Sequence, residues 1–251
     1  MIGFNIQNFM SGEAAPNYNN NKLFILFGES NSGGYAQNSL LTLTEAAPRN
    51  LKILNNNTLL FEKLLIGTNN TIGHYQLDSS TGHSFENELA NKYDAGYWGS
   101  KTVYIVKSGQ GGSRIEQWDA GGNYYNLFLT RVRSAISQLF SGFDPNIEIM
   151  LSLGINDANN NTPDEIFKTN YKSLIQRIRI DLNLPKLRFS LMLFDFNNYT
   201  HAYKDPYILE VASELSYVTV FDTQGCTVLP DGAHLDYLGM KKACNNFLAV
   251  I

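Results

Sequence analysis

Short apolar runs alternate with segments of helical periodicity along most of this chain. Residues 22–27, Lys-Leu-Phe-Ile-Leu-Phe, form an apolar run whose length and composition predict a strand buried on both faces. Segments with apolar side chains three and four positions apart predict helices between such runs. Further strands are predicted at residues 102–106, 147–153, 187–194 and 217–221, and helices at residues 84–93, 123–140, 206–215 and 236–250.

One more helix is predicted from its start signals. Thr162 is placed to cap it, Pro163 suits the first helical position, and Asp164 and Glu165 form an acidic first turn. The apolar side chains expected on its buried face are Ile166, Leu174, Ile175 and Ile178.

This alternation predicts an α/β fold, a three-layer α/β/α sandwich with a central, mostly parallel sheet. Residues 22–251 are expected to form one domain, preceded by a polar, Asn-rich arm or linker at residues 1–21. Residues 37–82 lack a clear helical period and carry short apolar pieces, interpreted as small strands or packing residues. In such sheets, sites form beyond the carboxyl ends of the strands.

Composition narrows the functional classes. The chain has 251 residues, 43% hydrophobic and 17% charged, which predicts a globular fold. Its net charge of -4 gives no reason to expect nucleic acid or an anionic membrane as partner. No transmembrane segment or signal peptide is predicted. Secretion with the signal removed, and association with a virion, both stay open, as do compartment and oligomeric state.

The two cysteines do not frame the fold. Cys226 and Cys244 are interpreted as buried free thiols, with a single disulfide between them as the alternative.

Two polar motifs far apart in the sequence suggest one site. Gly28-Glu29-Ser30-Asn31 closes the first predicted strand, and Asp231-Gly232-Ala233-His234 precedes the last helix. A serine, a histidine and an orienting carboxylate can together form a nucleophilic site. The structural alternatives are a helix-capping serine and an Asp-Gly turn beside a surface histidine. The other histidines, His74, His83 and His201, are interpreted as solvated or hydrogen-bonded rather than as a base.

Two further segments could stabilise an oxyanion. Gly109-Gln110-Gly111-Gly112-Ser113 follows a strand, and its glycines would let backbone N–H groups approach a ligand. Asn156 follows another strand and could donate its side-chain amide, although Asn-rich segments also form ordinary turns. His, Cys and acidic residues show no metal-ligand spacing, so no metal or cofactor is expected.

In this order, the motifs resemble those of the SGNH hydrolase superfamily. Its four conserved residue types correspond here to Ser30, Gly111, Asn156 and the Asp231–His234 pair. Gly28-Glu29-Ser30-Asn31 and Gly111 to Trp118 are similar to the Gly-Gln-Ser-Asn and Gly-Gly-Thr-Ser-Ile-x-x-Trp motifs of the sialate O-acetylesterase and carbohydrate esterase 6 branch. Two positions depart from that branch: residue 29 is Glu rather than Gln, and the third motif reads Gly-Ile-Asn-Asp.

The resemblance implies a serine esterase that removes a short acyl group, expected to be acetyl, from a carbohydrate. Ser30, His234 and Asp231 would form the triad, with Ser30 N–H, the Asn156 amide and Gly111, or Gly112, at the oxyanion. Tyr35, Arg114 and Trp118 are candidates to shape the substrate pocket, with packing or solvation as the alternative. Two other functions stay open: a lipid-directed esterase or lipase, and a non-catalytic glycan-binding or virion-associated module.

Overall fold

A seven-stranded sheet forms the centre of the protein in the computed structural model, which describes residues 21–69, 81–139, 146–196 and 202–251. Its strands are β1 Asn21–Gly28, β3 Arg49–Leu54, β4 Phe61–Leu64, β6 Thr102–Gly109, β7 Ile147–Ser152, β8 Arg188–Met192 and β9 Val218–Phe221; a separate antiparallel pair joins β2 Ala36–Gln37 to β5 Gly82–His83. The strand order in the main sheet is β4-β3-β6-β1-β7-β8-β9. Within this sheet only the β3–β4 pair is antiparallel, so the predicted, mostly parallel sheet is confirmed.

Helices cover both faces of this sheet, as a three-layer fold requires. Successive β1 side chains point to opposite faces. Phe24 packs against Phe247 on one face, and Phe27 packs against Phe128 on the other. The α-helices of the described residues are α1 Ser30–Gly33, α2 Glu86–Asp94, α3 Asn123–Leu139, α4 Ile155–Asn159, α5 Asp164–Asp181, α6 Asp205–Glu214 and α7 Tyr237–Leu248. One layer contains α2 and α7, which contact each other, and the other contains α3, α5 and α6.

The start and the buried face of α5 differ from the prediction. The helix begins at Asp164 with Pro163 at the capping position, and Thr162 donates instead to the Asp157 carboxylate. Ile166 is 50% exposed, because the helix turns its Phe167 and Tyr171 face toward the sheet. Aromatic side chains one and five positions after Ile166 therefore replace it in the core.

The irregular stretch at residues 37–82 contributes two strands to one edge of the main sheet. Within the described part of residues 37–82, the apolar piece at residues 51–54 lies in β3, and the pieces at residues 59–61 and 64–66 each contribute one residue to β4, at one end of the main sheet. The small-strand interpretation is therefore confirmed for the first piece and in part for the other two. Residues 70–80, which include His74, lie outside the described residues, as do residues 1–20, most of the predicted arm, and His201.

The predictions for both cysteines and for His83 agree with the structure. Cys226 and Cys244 are buried and free, so the disulfide alternative is wrong. His83 is buried, and its Nδ1 lies 2.9 Å from Asn38 Oδ1, which makes it a hydrogen-bonded core histidine.

Parallel register brings the ends of three strands together. Gly28 is paired with Gly109 of β6 on one side and Ser152 of β7 on the other. Gly28 has φ +134°, and a Cβ placed there would lie 1.9 Å from the Ser152 carbonyl oxygen. No side chain can be added without moving one of these strands.

Gly28→Ala should therefore destabilise the protein far more than a glycine replacement in open space. Gly121 also has positive φ, +82°, but a Cβ there meets nothing within 4 Å. We expect Gly121→Ala to cost about 1–2 kcal/mol of backbone strain, and Gly28→Ala more than about 3 kcal/mol or to abolish folding because of the additional overpacking. Chemical denaturation measures the free energy of unfolding of both variants. Equal losses of stability in Gly28→Ala and Gly121→Ala would contradict the close strand packing.

Candidate active site

The Ser30 hydroxyl lies at the carboxyl edge of the sheet. β1 ends at Gly28, and Ser30 is the first residue of the short helix α1. The turn is closed by Glu29 N–H, which donates to the Ser152 carbonyl at 2.8 Å. Ser30 itself is 5% exposed, and its position follows from the end of the central strand.

His234 connects Ser30 to Asp231. The His234 Nε2 atom lies 2.9 Å from Ser30 Oγ, and its Nδ1 atom lies 2.8 Å from Asp231 Oδ2. An ionised carboxylate only accepts, so Nδ1 carries the proton and Nε2 is free to accept from the hydroxyl. This is the arrangement that the separated sequence motifs predicted.

The Asp231 loop is organised by its own carboxylate. Asp231 Oδ1 accepts the backbone N–H groups of Ala233 at 2.9 Å and His234 at 3.0 Å. Burial acts to raise the pKa of Asp231, but these donors and the His234 ring outweigh it and hold the pKa below its ordinary value. The carboxylate therefore stays ionised beside the imidazole.

Asn31 attaches this loop to α1. Its Oδ1 accepts the Leu235 N–H at 2.9 Å, and its Nδ2 donates to the Ala233 carbonyl at 3.2 Å. These bonds bracket His234 and join segments about two hundred residues apart in sequence. Sequence reasoning assigned Asn31 no role, although its place directly after Ser30 was the available signal.

A buried polar chain supports Asn31 from the sheet. Lys107 Nζ donates to Glu86 Oε1 at 2.6 Å, and Glu86 Oε2 accepts the Ser84 N–H at 3.0 Å. Ser84 Oγ then donates to the Asn31 carbonyl at 2.7 Å. All members of this chain are almost completely buried, so removing one partner would leave the others unpaired at high cost.

The Asn156 side chain contacts Glu29, the residue directly before Ser30. It belongs to α4, which starts after Gly154 at φ +140°. Its Nδ2 group donates to Glu29 Oε2 at 2.8 Å and to the Ser113 carbonyl at 3.2 Å. Both amide hydrogens thus have acceptors, and the Ser113 bond is the longer of the two.

The glycine loop after β6 is held in place at its far end. Ser113 Oγ donates to the Gln110 carbonyl at 2.8 Å, and the Ile115 N–H donates to Asp157 Oδ2 at 3.0 Å. The second contact joins this loop to Asp157 of α4. Gly112 adopts φ +72°, while the Gly111 carbonyl accepts from the Gln110 side chain.

The three candidates for the substrate pocket have different environments. Tyr35 stacks on the His234 ring, with centroids 3.7 Å apart and planes at 12°. Arg114 forms an ion pair with its neighbour Glu116 on the surface. Trp118 is 1% exposed, packs edge-on against Phe27, and donates to Ser113 Oγ, so it is a core residue rather than a sugar platform.

Comparison with protein families places almost the whole chain in one family. The family model described as "Carbohydrate esterase, sialic acid-specific acetylesterase" matches residues 20–249. The chain belongs to this family. It is accordingly a carboxylic ester hydrolase with carbohydrate esterase activity, and its SGNH-type fold agrees with the sequence prediction.

Solved structures with similar folds support the architecture. An Arabidopsis thaliana protein is 21% identical, with a TM-score of 0.71 over 92% of this chain and 97% of that one. NanS is 13% identical, with a TM-score of 0.67 over 92% and 96%. A carbohydrate acetylesterase from Xanthomonas citri is 14% identical, with a TM-score of 0.61 over 91% of this chain and 55% of that one. Comparison with curated protein sequences gives no match.

The described residues include no helix that is long and apolar enough to cross a membrane.

In this carbohydrate esterase, a buried carboxyl group lies next to Ser30. Glu29 is completely buried, and burial raises its pKa from 4.5 to about 8, with a further contribution from the Asp157 carboxylate. A glutamine at position 29, as in the Gly-Gln-Ser-Asn motif, would offer the same acceptor to Asn156 without an ionisable group. Position 29 therefore makes the stability of this site dependent on pH.

Glu29→Gln should stabilise the esterase at alkaline pH. With a folded pKa of about 8 against 4.5, the folded state binds more protons between these values, so wild-type stability falls as pH rises through that window and levels off above it. The difference in Tm, variant minus wild type, should grow from pH 5 to pH 8. Glu165→Gln, at an exposed glutamate, is the control, and parallel Tm profiles for Glu29→Gln and wild type would contradict the assignment.

Proposed function

We propose that this carbohydrate esterase removes acetyl groups from a carbohydrate through an acyl-enzyme formed on Ser30. The observation that carries the proposal is the continuous series Asp231 Oδ2, His234 Nδ1, His234 Nε2 and Ser30 Oγ, with separations of 2.8 and 2.9 Å. A hydroxyl in contact with a neutral imidazole nitrogen is the arrangement that nucleophilic catalysis requires.

In the first half-reaction, Ser30 Oγ attacks the ester carbonyl carbon while His234 Nε2 takes the hydroxyl proton. The tetrahedral intermediate collapses when the C–O bond to the sugar breaks, and His234 returns its proton to the departing sugar oxygen. In the second, His234 Nε2 takes a proton from a water molecule while the water oxygen attacks the acetyl carbon. The bond from that carbon to Ser30 Oγ then breaks, His234 returns the proton to Oγ, and acetic acid leaves and ionises to acetate. Asp231 stabilises the imidazolium in both.

The oxyanion donors would be Ser30 N–H, Gly111 N–H and Asn156 Nδ2. In the unliganded arrangement, one Asn156 hydrogen is held by Glu29 at 2.8 Å and the other by the Ser113 carbonyl at 3.2 Å. The hydrogen that now bonds the Ser113 carbonyl would donate to the oxyanion, because the longer bond is the weaker one. Glu29 then keeps the amide oriented while the carbonyl contact is exchanged.

Acetylated carbohydrate is the substrate class that the family and the surroundings of Ser30 favour together. His234 contacts the hydroxyl, and Tyr35 covers one face of the histidine. Two amide side chains flank these residues in the structure, with Asn31 bonded to the His234 loop and Asn156 to Glu29. A long acyl chain would need an apolar groove, in which each buried methylene contributes about 0.8 kcal/mol.

Ser30→Ala should lower kcat on p-nitrophenyl acetate by about 10³-fold or more while the protein stays folded, as expected when a nucleophile is lost. Ser137→Ala, at an exposed serine of α3, is the control and should retain wild-type turnover.

The double variant Ser30→Ala/His234→Ala tests whether these residues act together. Its activity should be close to that of either single variant, because losses within one catalytic unit do not multiply. Multiplying losses, or near-wild-type turnover in folded Ser30→Ala, would contradict the proposed mechanism.

Substrate length should distinguish a carbohydrate acetylesterase from a lipid-directed enzyme. We expect kcat/KM to fall from p-nitrophenyl acetate to the octanoate, because the described groups in contact with Ser30 and His234 are polar or aromatic and would bury few methylenes of a long acyl chain. Acetate should also be released from a panel of acetylated xylan and O-acetylated sialic acid. Activity that rises through octanoate, with no acetate from any glycan, would overturn the acetyl assignment.

A further inference from the structure

Tyr35 makes a contact with His234 that neither hydrogen bond of the imidazole supplies. The two rings are nearly parallel, at 12°, with centroids 3.7 Å apart. Both imidazole nitrogens are already engaged in the ring plane, Nδ1 with Asp231 and Nε2 with Ser30. In-plane bonds restrain the ring along its edges, whereas contact with a face restrains movement out of the plane.

The backbone fixes the place of Tyr35 closely. α1 ends at Gly33, and Gly34 has φ +113° and donates its N–H to the Ser30 carbonyl at 2.8 Å. A Cβ at Gly34 would lie 2.6 Å from the His83 carbonyl carbon. Directly after Tyr35, Ala36 is completely buried and pairs with His83. Tyr35 is thus held from both sides by fixed backbone, and its ring position follows from the β2–β5 pair.

The charge next to the stacked rings is negative. Asp231, which is held ionised, contacts the His234 ring from its own loop. Burial, followed by Asp231 and Glu29, raises the pKa of Tyr35, so its hydroxyl stays protonated at neutral pH. A neutral aromatic face attracts a cation in contact with it.

We propose that Tyr35 is a positioning residue, whose ring face holds the His234 imidazole in line with Asp231 and Ser30 and stabilises the imidazolium formed in each half-reaction. The inference rests on the proposed function, in which His234 becomes charged twice per turnover. The role belongs to the aromatic face of Tyr35, which contacts the histidine, so the phenol hydroxyl is not required.

Two substitutions separate the ring from the hydroxyl. Tyr35→Phe keeps the aromatic face and should rescue kcat and the titration of His234 relative to Tyr35→Leu. Tyr35→Leu keeps an apolar side chain over the histidine but removes the aromatic face. It should lower kcat by about 10-fold, with little change in KM, through a misplaced base. It should also weaken proton binding to His234 by about 2- to 5-fold, the size of a partly exposed cation–π contact.

Proton binding is measured directly by NMR titration of the His234 imidazole. The chain has four histidines, so a His234→Gln variant assigns the resonance. This readout does not depend on ester hydrolysis. If wild type hydrolysed no ester, the proposed function would fail, while the titration would still report whether the stack stabilises the imidazolium.

A lower His234 pKa in Tyr35→Leu, rescued in Tyr35→Phe, supports the proposal. Unchanged kcat and unchanged titration in folded Tyr35→Leu would overturn it, and so would equal losses in both variants, since these would assign the role to the hydroxyl. Thermal unfolding checks that each variant is folded, and Tyr35→Val replaces Tyr35→Leu if the latter is not.

Discussion

The close approach of β1 to β7 at Gly28 is the constraint on which the site depends. Parallel pairing places the carboxyl ends of β6, β1 and β7 side by side, and Gly28 lies between Gly109 and Ser152. The chain can leave the sheet there only because residue 28 has no side chain to meet the Ser152 carbonyl. Glu29 and Ser30 follow directly, so the position of the hydroxyl is set by the end of the central strand.

From this edge, polar contacts spread in two directions. Toward α7, Asn31 binds the backbone on either side of His234 and is itself supported by the buried Lys107, Glu86 and Ser84 chain. Toward α4, Glu29 binds the Asn156 amide. Buried polar groups are costly unless they are paired, so these networks admit few alternative arrangements. They hold the two ends of the site relative to the same short helix, α1.

The two carboxyl groups near Ser30 differ in environment, and this difference suits their places. Asp231 is 46% exposed and accepts three hydrogen bonds, which keeps it ionised next to the histidine. Glu29 is completely buried, and burial favours its neutral form. A negative charge therefore lies beside the imidazole, where a cation forms. Close to the Asn156 amide, where an oxyanion would form, the carboxyl group is mostly neutral at pH 7.

The sequence by itself determined the fold class and the triad candidates. Buried parallel strands read as continuous apolar runs, and Ser30, Asp231 and His234 stand in short motifs at the ends of predicted elements. It did not determine which side chains face the interior where periodicity is ambiguous. Thus Ile166 is exposed while Phe167 and Tyr171 are buried, and Trp118 is a core residue. Only the tertiary structure decided that Tyr35 covers the histidine, that Asn31 joins both ends of the chain, and that Glu29 contacts Asn156. These contacts join residues from separate elements, and such pairings arise from packing and register, which no local pattern encodes.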